Sequence, residues 1–82
     1  MKNIKDIITG DSADSLGVER FSRAMAKKLS AKRAEGRYGW NDPDECSVED
    51  LCVMLANHVG KGDMVDIANF CMFIWNRKNP KG

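Results

Sequence analysis

A very short break between two amphipathic segments constrains the fold of this chain most strongly. Apolar residues recur at intervals of three and four over residues 48–59, and a second apolar segment begins after Asp63. Such spacing predicts amphipathic helices. Because only Lys61 and Gly62 separate the stop signal at Gly60 from Asp63, we expect the two helices to lie antiparallel as a hairpin.

The whole chain is predicted to be an all-α protein, a small bundle whose second half is this hairpin. We place its three main helices at about 16–35, 47–59 and 63–76. Gly36 is the predicted stop of the first helix. Ser47 and Asp50 fit a capping box at the start of the second, Gly60 is its predicted stop, and Asp63 is the predicted cap of the third.

The pattern predicts one domain, residues 17–78, after an N-terminal arm at residues 1–16 and before a tail at residues 79–82 that we expect to fray. The arm is either one short helical turn or an extended segment, because its isoleucines are followed by a polar run that ends at Ser12. No apolar run reaches the roughly 20 residues that a bilayer requires, and the N-terminus is too polar for a signal peptide. We therefore expect a cytoplasmic protein.

The three cysteines, Cys46, Cys52 and Cys71, lie in or beside helical apolar patterns. We expect them to be reduced thiols, mostly in the core. Structural zinc prefers close pairs of ligands, whereas Cys46, Cys52 and His58 follow one another at six-residue steps, so we predict no metal site and no cofactor. His58 is explained more simply by the favourable interaction of an imidazole with a helix C-terminus.

The charges are divided between the two halves of the chain. Residues 17–37 contain seven basic and two acidic residues, and residues 42–66 contain seven acidic residues and one basic residue. Such a division favours docking of one half on the other, within the fold or between protomers. The basic half is also a candidate for phosphate contacts and hence nucleic-acid binding, although a solvated helix face is the simpler interpretation. The candidate phosphate-contacting residues are Arg20, Arg23, Lys27, Lys28 and Arg37.

The acidic half does not supply a complete catalytic set. Magnesium-dependent hydrolysis of nucleotides needs carboxylates that converge from at least two helices. Asp63 and Asp66 lie in the first turn of the third helix, where capping accounts for them, and Glu49 and Asp50 begin the second helix, about 15 Å away in an antiparallel hairpin. We therefore predict no catalytic residue. A magnesium-dependent pyrophosphatase site assembled across an oligomer is the alternative.

The third helix is apolar on two sides. One stripe contains Ile67, Phe70, Cys71 and Ile74, and a second contains Met64, Ala68, Met72 and Trp75. A chain of this size has too few other helices to cover both stripes, so we predict a homodimer.

Three runs of the sequence resemble a domain of tailed phages and prophages, formerly of unknown function: residues 36–40, 46–51 and, most specifically, 58–72. This domain occurs alone in short early-region proteins and at the N-terminus of phage dATP/dGTP diphosphohydrolases. The resemblance extends from about Phe21 to Arg77. It implies a phage-encoded accessory protein of the host cytoplasm with a link to DNA or deoxynucleotide metabolism.

The resemblance does not imply an active site in this chain. Hydrolysis in the longer relatives is attributed to paired Glu-x-x-Glu and Glu-x-x-Asp motifs, and this sequence has neither. The matching positions are Trp40, His58, Lys61, Gly62, Asp63, Asp66 and Asn69. We expect them to cluster around the hairpin turn, with Trp40 packed over it. The resulting hypothesis is a non-enzymatic protein that binds a host or phage protein through this surface.

Overall fold

The computed structural model describes residues 10–81 and contains three helices. They are α1 (Gly10–Ala34), α2 (Val48–Lys61) and α3 (Met64–Lys78). No strand is present among residues 10–81, so the predicted all-α bundle is confirmed. Helix α3 packs against both α1 and α2 and is therefore the central helix of the bundle.

Helix α1 begins six residues earlier than the sequence pattern suggested. The predicted arm at residues 1–16 is therefore wrong for residues 10–16, which are helical, while residues 1–9 lie outside the part of the chain described. The polar run that looked like a break instead starts the helix, because the carboxylate of Asp11 in its first turn complements the helix dipole.

Gly36 ends α1, as predicted. Its φ of 86° is left-handed, and its amide donates to the carbonyl of Arg33 at 2.9 Å. The amide of Arg37 donates to the carbonyl of Lys32, also at 2.9 Å. These two bonds form a Schellman motif, which satisfies carbonyls that the helix end leaves unpaired.

Helix α2 begins as predicted but ends later. The Ser47 hydroxyl accepts a hydrogen bond from the Asp50 amide at 3.0 Å, as an N-cap should. The predicted stop at Gly60 is wrong, because the helix continues through it to Lys61. Gly62 provides the stop, with a left-handed φ of 77° and an amide that donates to the carbonyl of His58 at 3.1 Å.

Helix α3 follows Gly62 directly and is capped by Asp63, as predicted. The Asp63 carboxylate accepts from the amides of Val65 and Asp66. The helix runs two residues beyond its predicted end at residue 76, to Lys78. The extension includes Arg77, a half-buried residue whose contacts fix the connector between α1 and α2.

The core is small, and it is not where the cysteines lie. Leu51 (1% exposed), Phe73 (8%) and Asn69 (4%) are the buried residues in the part of the chain described. The expectation that the cysteines lie mostly in the core is wrong, since Cys52 and Cys71 are exposed and only Cys46 is half-buried. Cys71 is two positions from both Asn69 and Phe73, and two positions on a helix turn a side chain to nearly the opposite face.

The first half of α1 carries apolar residues beyond the region that packs. Met25 and Leu29 are half-buried, but Val18 (69% exposed) and Phe21 (40%) continue the same stripe toward the N-terminus. Residues 11–23 are all exposed. None of the helices in the described part of the chain has the combined length and apolar character that crossing a membrane requires.

Candidate binding groove

A groove of about 510 Å³ lies where the three helices meet the connector between α1 and α2. We call it the groove throughout. Its volume is within the range of about 300–1,000 Å³ that is typical of ligand sites. Its apolar lining comes from all three helices and the connector, and its basic lining comes from the end of α1 and the residues that follow.

Aromatic rings form a continuous series along the groove. The ring of Trp40 stacks on Phe73 with centroids 4.8 Å apart, Phe73 meets Phe70 edge-on at 5.5 Å, and Phe70 meets the imidazole of His58 at 4.6 Å. Trp40 therefore packs against the middle of α3. The expectation that it packs over the hairpin turn is wrong, because its partner Phe73 lies about three helical turns beyond the turn.

Arg77 explains why the connector lies where it does. Its guanidinium donates to the carbonyl oxygens of Trp40 and Cys46, each at 2.7 Å. Hydrogen bonds from a charged donor are among the stronger ones in proteins. One side chain of α3 thus fixes two points of the connector and holds Trp40 where its ring stacks on Phe73 and lines the groove.

The wall of the groove is basic. Four cations line it, Lys28, Lys32, Arg33 and Arg37, against two acids, Glu45 and Asp66. Of the cations, Lys32 and Arg33 have no acidic partner among residues 10–81, although the guanidinium of Arg33 lies 5.1 Å from the centre of the Tyr38 ring. The groove therefore has an excess of positive charge.

Lys28 joins the basic helix to the acidic hairpin. Its ammonium lies 2.9 Å from a carboxylate oxygen of Asp63 and 3.3 Å from one of Asp66. The hydrogen bond to Asp63 raises the pKa of Lys28, and the same bond, helped by the Asp66 amide, lowers the pKa of Asp63. The two oppositely charged halves of the chain thus dock within one protomer.

Asn69 lines the groove and carries an unpartnered polar atom. It is 4% exposed, and its amide nitrogen donates to the carbonyl of Met25 on α1 at 3.3 Å. Its oxygen Oδ1 is buried and has no hydrogen-bond partner in the described part of the protein. Leaving a buried acceptor unpaired costs about 1–3 kcal/mol, so a ligand that donates to this oxygen would recover that cost.

His58 contributes a second acceptor. Its ring nitrogen Nδ1 lies 2.8 Å from the carbonyl oxygen of Met54. A carbonyl can only accept, so Nδ1 carries a proton and donates. In the neutral ring, Nε2 is then left as an acceptor.

Apart from Gly62, which is the C-cap of α2, six residues were predicted for this surface, and the structure brings four of them together. Trp40, His58, Asp66 and Asn69 line the groove, whereas Lys61 lies exposed in the last turn of α2 and Asp63 is engaged by its cap and by Lys28. Of the candidate phosphate contacts, Lys28 and Arg37 line the groove. Arg20, Arg23 and Lys27 do not, and Arg23 pairs with Glu19 one turn earlier in α1.

Sequence reasoning missed Phe73, which is the centre of the aromatic series. The available signal was a face of α3 at helical spacing, but the hydrophobic pattern did not reveal it because polar residues occupy much of that face. Its members are Asp66, Asn69, Phe70, Phe73 and Arg77.

The carboxylates do not converge. Glu49 and Asp50 lie in the first turn of α2, at the end of that helix remote from Asp63. Among residues 10–81, no group of three or more histidine, cysteine or acidic side chains is arranged to hold a metal ion. Asp63 and Asp66 are instead both paired with Lys28.

Comparisons of the chain with protein-family models, with curated proteins and with solved structures give no match. The groove combines an apolar aromatic floor, a basic wall and two lining residues that carry a hydrogen-bond acceptor, Asn69 at Oδ1 and His58 at Nε2 of the neutral ring. Such an arrangement can bind and orient a ligand that has an apolar portion, a negative charge and a hydrogen-bond donor.

Proposed function

We propose that this chain is a non-enzymatic accessory protein that binds a segment of another protein in the groove. The observation that carries the proposal is the buried, unpartnered Oδ1 of Asn69 beside the aromatic series. The resemblance of residues 46–51 and 58–72 to a phage domain supports a role during infection, in DNA or deoxynucleotide metabolism or in host takeover. The partner is then a host or phage protein in the host cytoplasm.

The composition of the groove favours a protein partner. Protein interfaces are enriched in aromatic residues and arginine, with a few buried anchor residues that contribute most of the binding energy. Trp40 stacks on the buried Phe73 and supplies aromatic surface to the groove, and Arg33 and Arg37 are among the residues that line it.

A binding role also agrees with the contacts of the acidic and imidazole side chains, which are engaged by other groups of the protein. Asp63 and Asp66 are held by Lys28, and Nδ1 of His58 is engaged by a backbone carbonyl. Nucleophilic catalysis requires a nucleophile within hydrogen-bond reach of a base. The exposed thiol of Cys52 lies six positions before His58 on α2, which places it on a different face of the helix.

We also propose that the protein is a homodimer. Helix α3 carries an apolar stripe on the side away from its buried face, formed by Met64, Ala68, Cys71 and Trp75, which we call the outer stripe. Met64 is 61% exposed and Trp75 is 54% exposed. Apolar side chains at i, i+4, i+7 and i+11 share one face of a helix, and a second copy of the same stripe would cover them.

Site-specific photo-crosslinking in infected cells tests the proposed binding site. Tyr38 lines the groove and is 66% exposed, so a photo-reactive phenylalanine analogue at this position should form a discrete adduct with one protein. The matched control carries the same analogue at Val53, which is 61% exposed on α2 and does not line the groove. We expect no adduct with that protein from Val53.

A second variant adds Asn69→Leu to the protein that carries the photo-reactive analogue at position 38. The leucine removes the hydrogen bond to Met25 but also removes the unpaired oxygen, so we expect the free energy of unfolding to change by no more than about 1 kcal/mol. The adduct should disappear because the acceptor is lost. An adduct of equal yield in the Asn69→Leu protein, or from Val53, would place the binding site elsewhere.

Catalysis is tested separately with the purified protein, dATP or dGTP, and Mg²⁺. We expect no release of pyrophosphate above the rate in buffer. Release that depends on the protein and is abolished by Asp66→Asn would establish the alternative, a pyrophosphatase assembled across an oligomer, and would contradict the non-enzymatic proposal.

A further inference from the structure

We infer that the groove binds an extended, acidic segment of the partner protein that carries one apolar anchor residue. The inference rests on the proposed function, because it names the chemistry of what the groove binds. It is carried by the charge of the groove wall, by the shape of the aromatic floor and by the acceptor at Asn69.

The charge of the wall favours an acidic ligand. Lys28 is neutralised by Asp63 and Asp66, but Lys32 and Arg33 have no acidic partner among residues 10–81. Lys32 lies one turn after Lys28 on the same face of α1, and both line the groove. Complementary charge raises the association rate and excludes partners of like charge.

The floor of the groove favours an elongated ligand over a compact one. The rings of Trp40, Phe73, Phe70 and His58 follow one another at 4.8, 5.5 and 4.6 Å, and they span two helices and the connector. A peptide segment can place an apolar side chain on this floor while its neighbouring carboxylates face the basic wall. Anchors of this kind contribute most of the binding energy in peptide recognition.

The acceptor at Asn69 favours an extended conformation of the bound segment. Oδ1 can only accept, so the ligand must present a donor to it. In the interior of a helix the backbone amides are already bonded to carbonyls four residues earlier. An extended segment presents free amides, and one of them can donate to Asn69.

The remaining cations of α1 argue against nucleic acid as the ligand. Arg20, Arg23 and Lys27 lie on a face of α1 roughly opposite to Lys32. A nucleic-acid surface needs a continuous track of phosphate contacts. Here the basic residues are divided between two faces, and only one of those faces borders the groove.

Selection from a displayed library of random peptides of about ten residues tests the inference with the full-length protein. We expect the enriched sequences to contain several Asp or Glu residues around one aromatic or aliphatic residue. Lys32→Glu should weaken their binding by roughly tenfold or more, because it repels the acids directly. Lys27→Glu is the matched control on the other face of α1 and should leave binding unchanged.

Other results of the peptide selection would contradict either the acidic segment alone or the protein-binding function as well. Enriched peptides that are lost in Asn69→Leu but have neutral or basic composition would overturn the acidic segment and leave the proposed protein-binding function standing. If no enriched peptide depends on Asn69 for binding, both the acidic segment and the proposed protein-binding function are wrong. Binding of a single-stranded oligonucleotide that Lys32→Glu abolishes, with no acidic peptide enriched, would replace the segment by nucleic acid.

Discussion

Asn69 and Arg77 are polar residues on the buried face of α3, and each ties that helix to another part of the fold. Asn69 donates to the backbone of α1, and Arg77 donates to the connector at Trp40 and Cys46. A leucine at either position would pack but could not make these bonds. These two polar residues therefore fix the positions of elements that line the groove. Apolar residues at the same positions would instead have enlarged the core.

The ion pair between Lys28 and Asp63 predicts a specific pH dependence. The pKa of Asp63 is lowered, so its contribution to the free energy of unfolding is present above the ordinary aspartate pKa of about 4 and is lost as the pH falls through the lower, folded value. The pKa of Lys28 is raised, so its contribution is present below about 10.5 and is lost as the pH rises through the higher, folded value.

Urea unfolding as a function of pH measures this pair. In the Lys28→Met protein the decline of the unfolding free energy should be shallower than in the wild type at both ends, below about pH 4 and above about pH 10.5. Lys27 is an exposed neighbour that has no acidic partner among residues 10–81, so Lys27→Met should keep the wild-type profile. Identical profiles for wild type and Lys28→Met would show that the ion pair does not form in solution.

Sequence reasoning at the residue scale identified part of the groove. Trp40, His58, Asp66 and Asn69 were predicted as binding residues and do line it together. Phe73 could not be found because its face of α3 is interrupted by polar side chains. The role of Arg77 depends on two carbonyls that are more than 30 positions away in the sequence, and no local pattern records such a contact.

Two glycines at the end of α2 differ in what their backbone requires. Gly60 is inside the helix, and a Cβ added there would meet nothing within 4 Å. Gly62 has a left-handed φ of 77° and makes the C-cap. Left-handed backbone is readily available only to glycine, whereas glycine inside a helix is less favourable than alanine.

Gly62→Ala should therefore lower the free energy of unfolding by about 1 kcal/mol, and Gly60→Ala should raise it by about 0.5–1 kcal/mol. Chemical denaturation followed by circular dichroism measures both. The opposite order, with Gly60→Ala the destabilised variant, would mean that α2 ends where the sequence first suggested.

At the scale of the elements, the starts of α2 and α3 were predictable and the ends were not. Ser47 and Asp63 are caps whose side chains act on amides two or three residues away, so the local sequence contains the signal. Gly60 and Gly62 both fit the sequence signal for the end of α2, which is a glycine after the last apolar residue of the helix. Only their backbone conformations show that Gly62 is the stop. The start of α1 was missed because its polar first turn resembles a loop.

As a whole molecule, the described chain buries few residues and leaves large apolar side chains exposed, among them Met64 and Trp75 of the outer stripe. A small domain with a limited core is often stabilised by association. We therefore expect the wild-type protein to sediment as a dimer and its melting temperature to rise with protein concentration.

Trp75→Glu tests the outer stripe. A charge within an apolar interface is costly to bury, so this variant should sediment as a monomer at concentrations where the wild type is a dimer. Tyr38→Glu, on an exposed residue of the groove, is the control and should remain a dimer. A wild-type protein that is monomeric at all concentrations would overturn the proposed dimer and would leave the groove unaffected.

The central claim is that the partner binds in the groove, and the two tryptophans report on it directly. Trp40 lines the groove and Trp75 lies on the outer stripe, so their indole N–H signals in a proton–nitrogen NMR spectrum distinguish the two surfaces. We expect titration with an acidic peptide enriched by selection to shift the Trp40 signal and leave that of Trp75 in place. A shift of Trp75 with Trp40 unchanged would contradict the account.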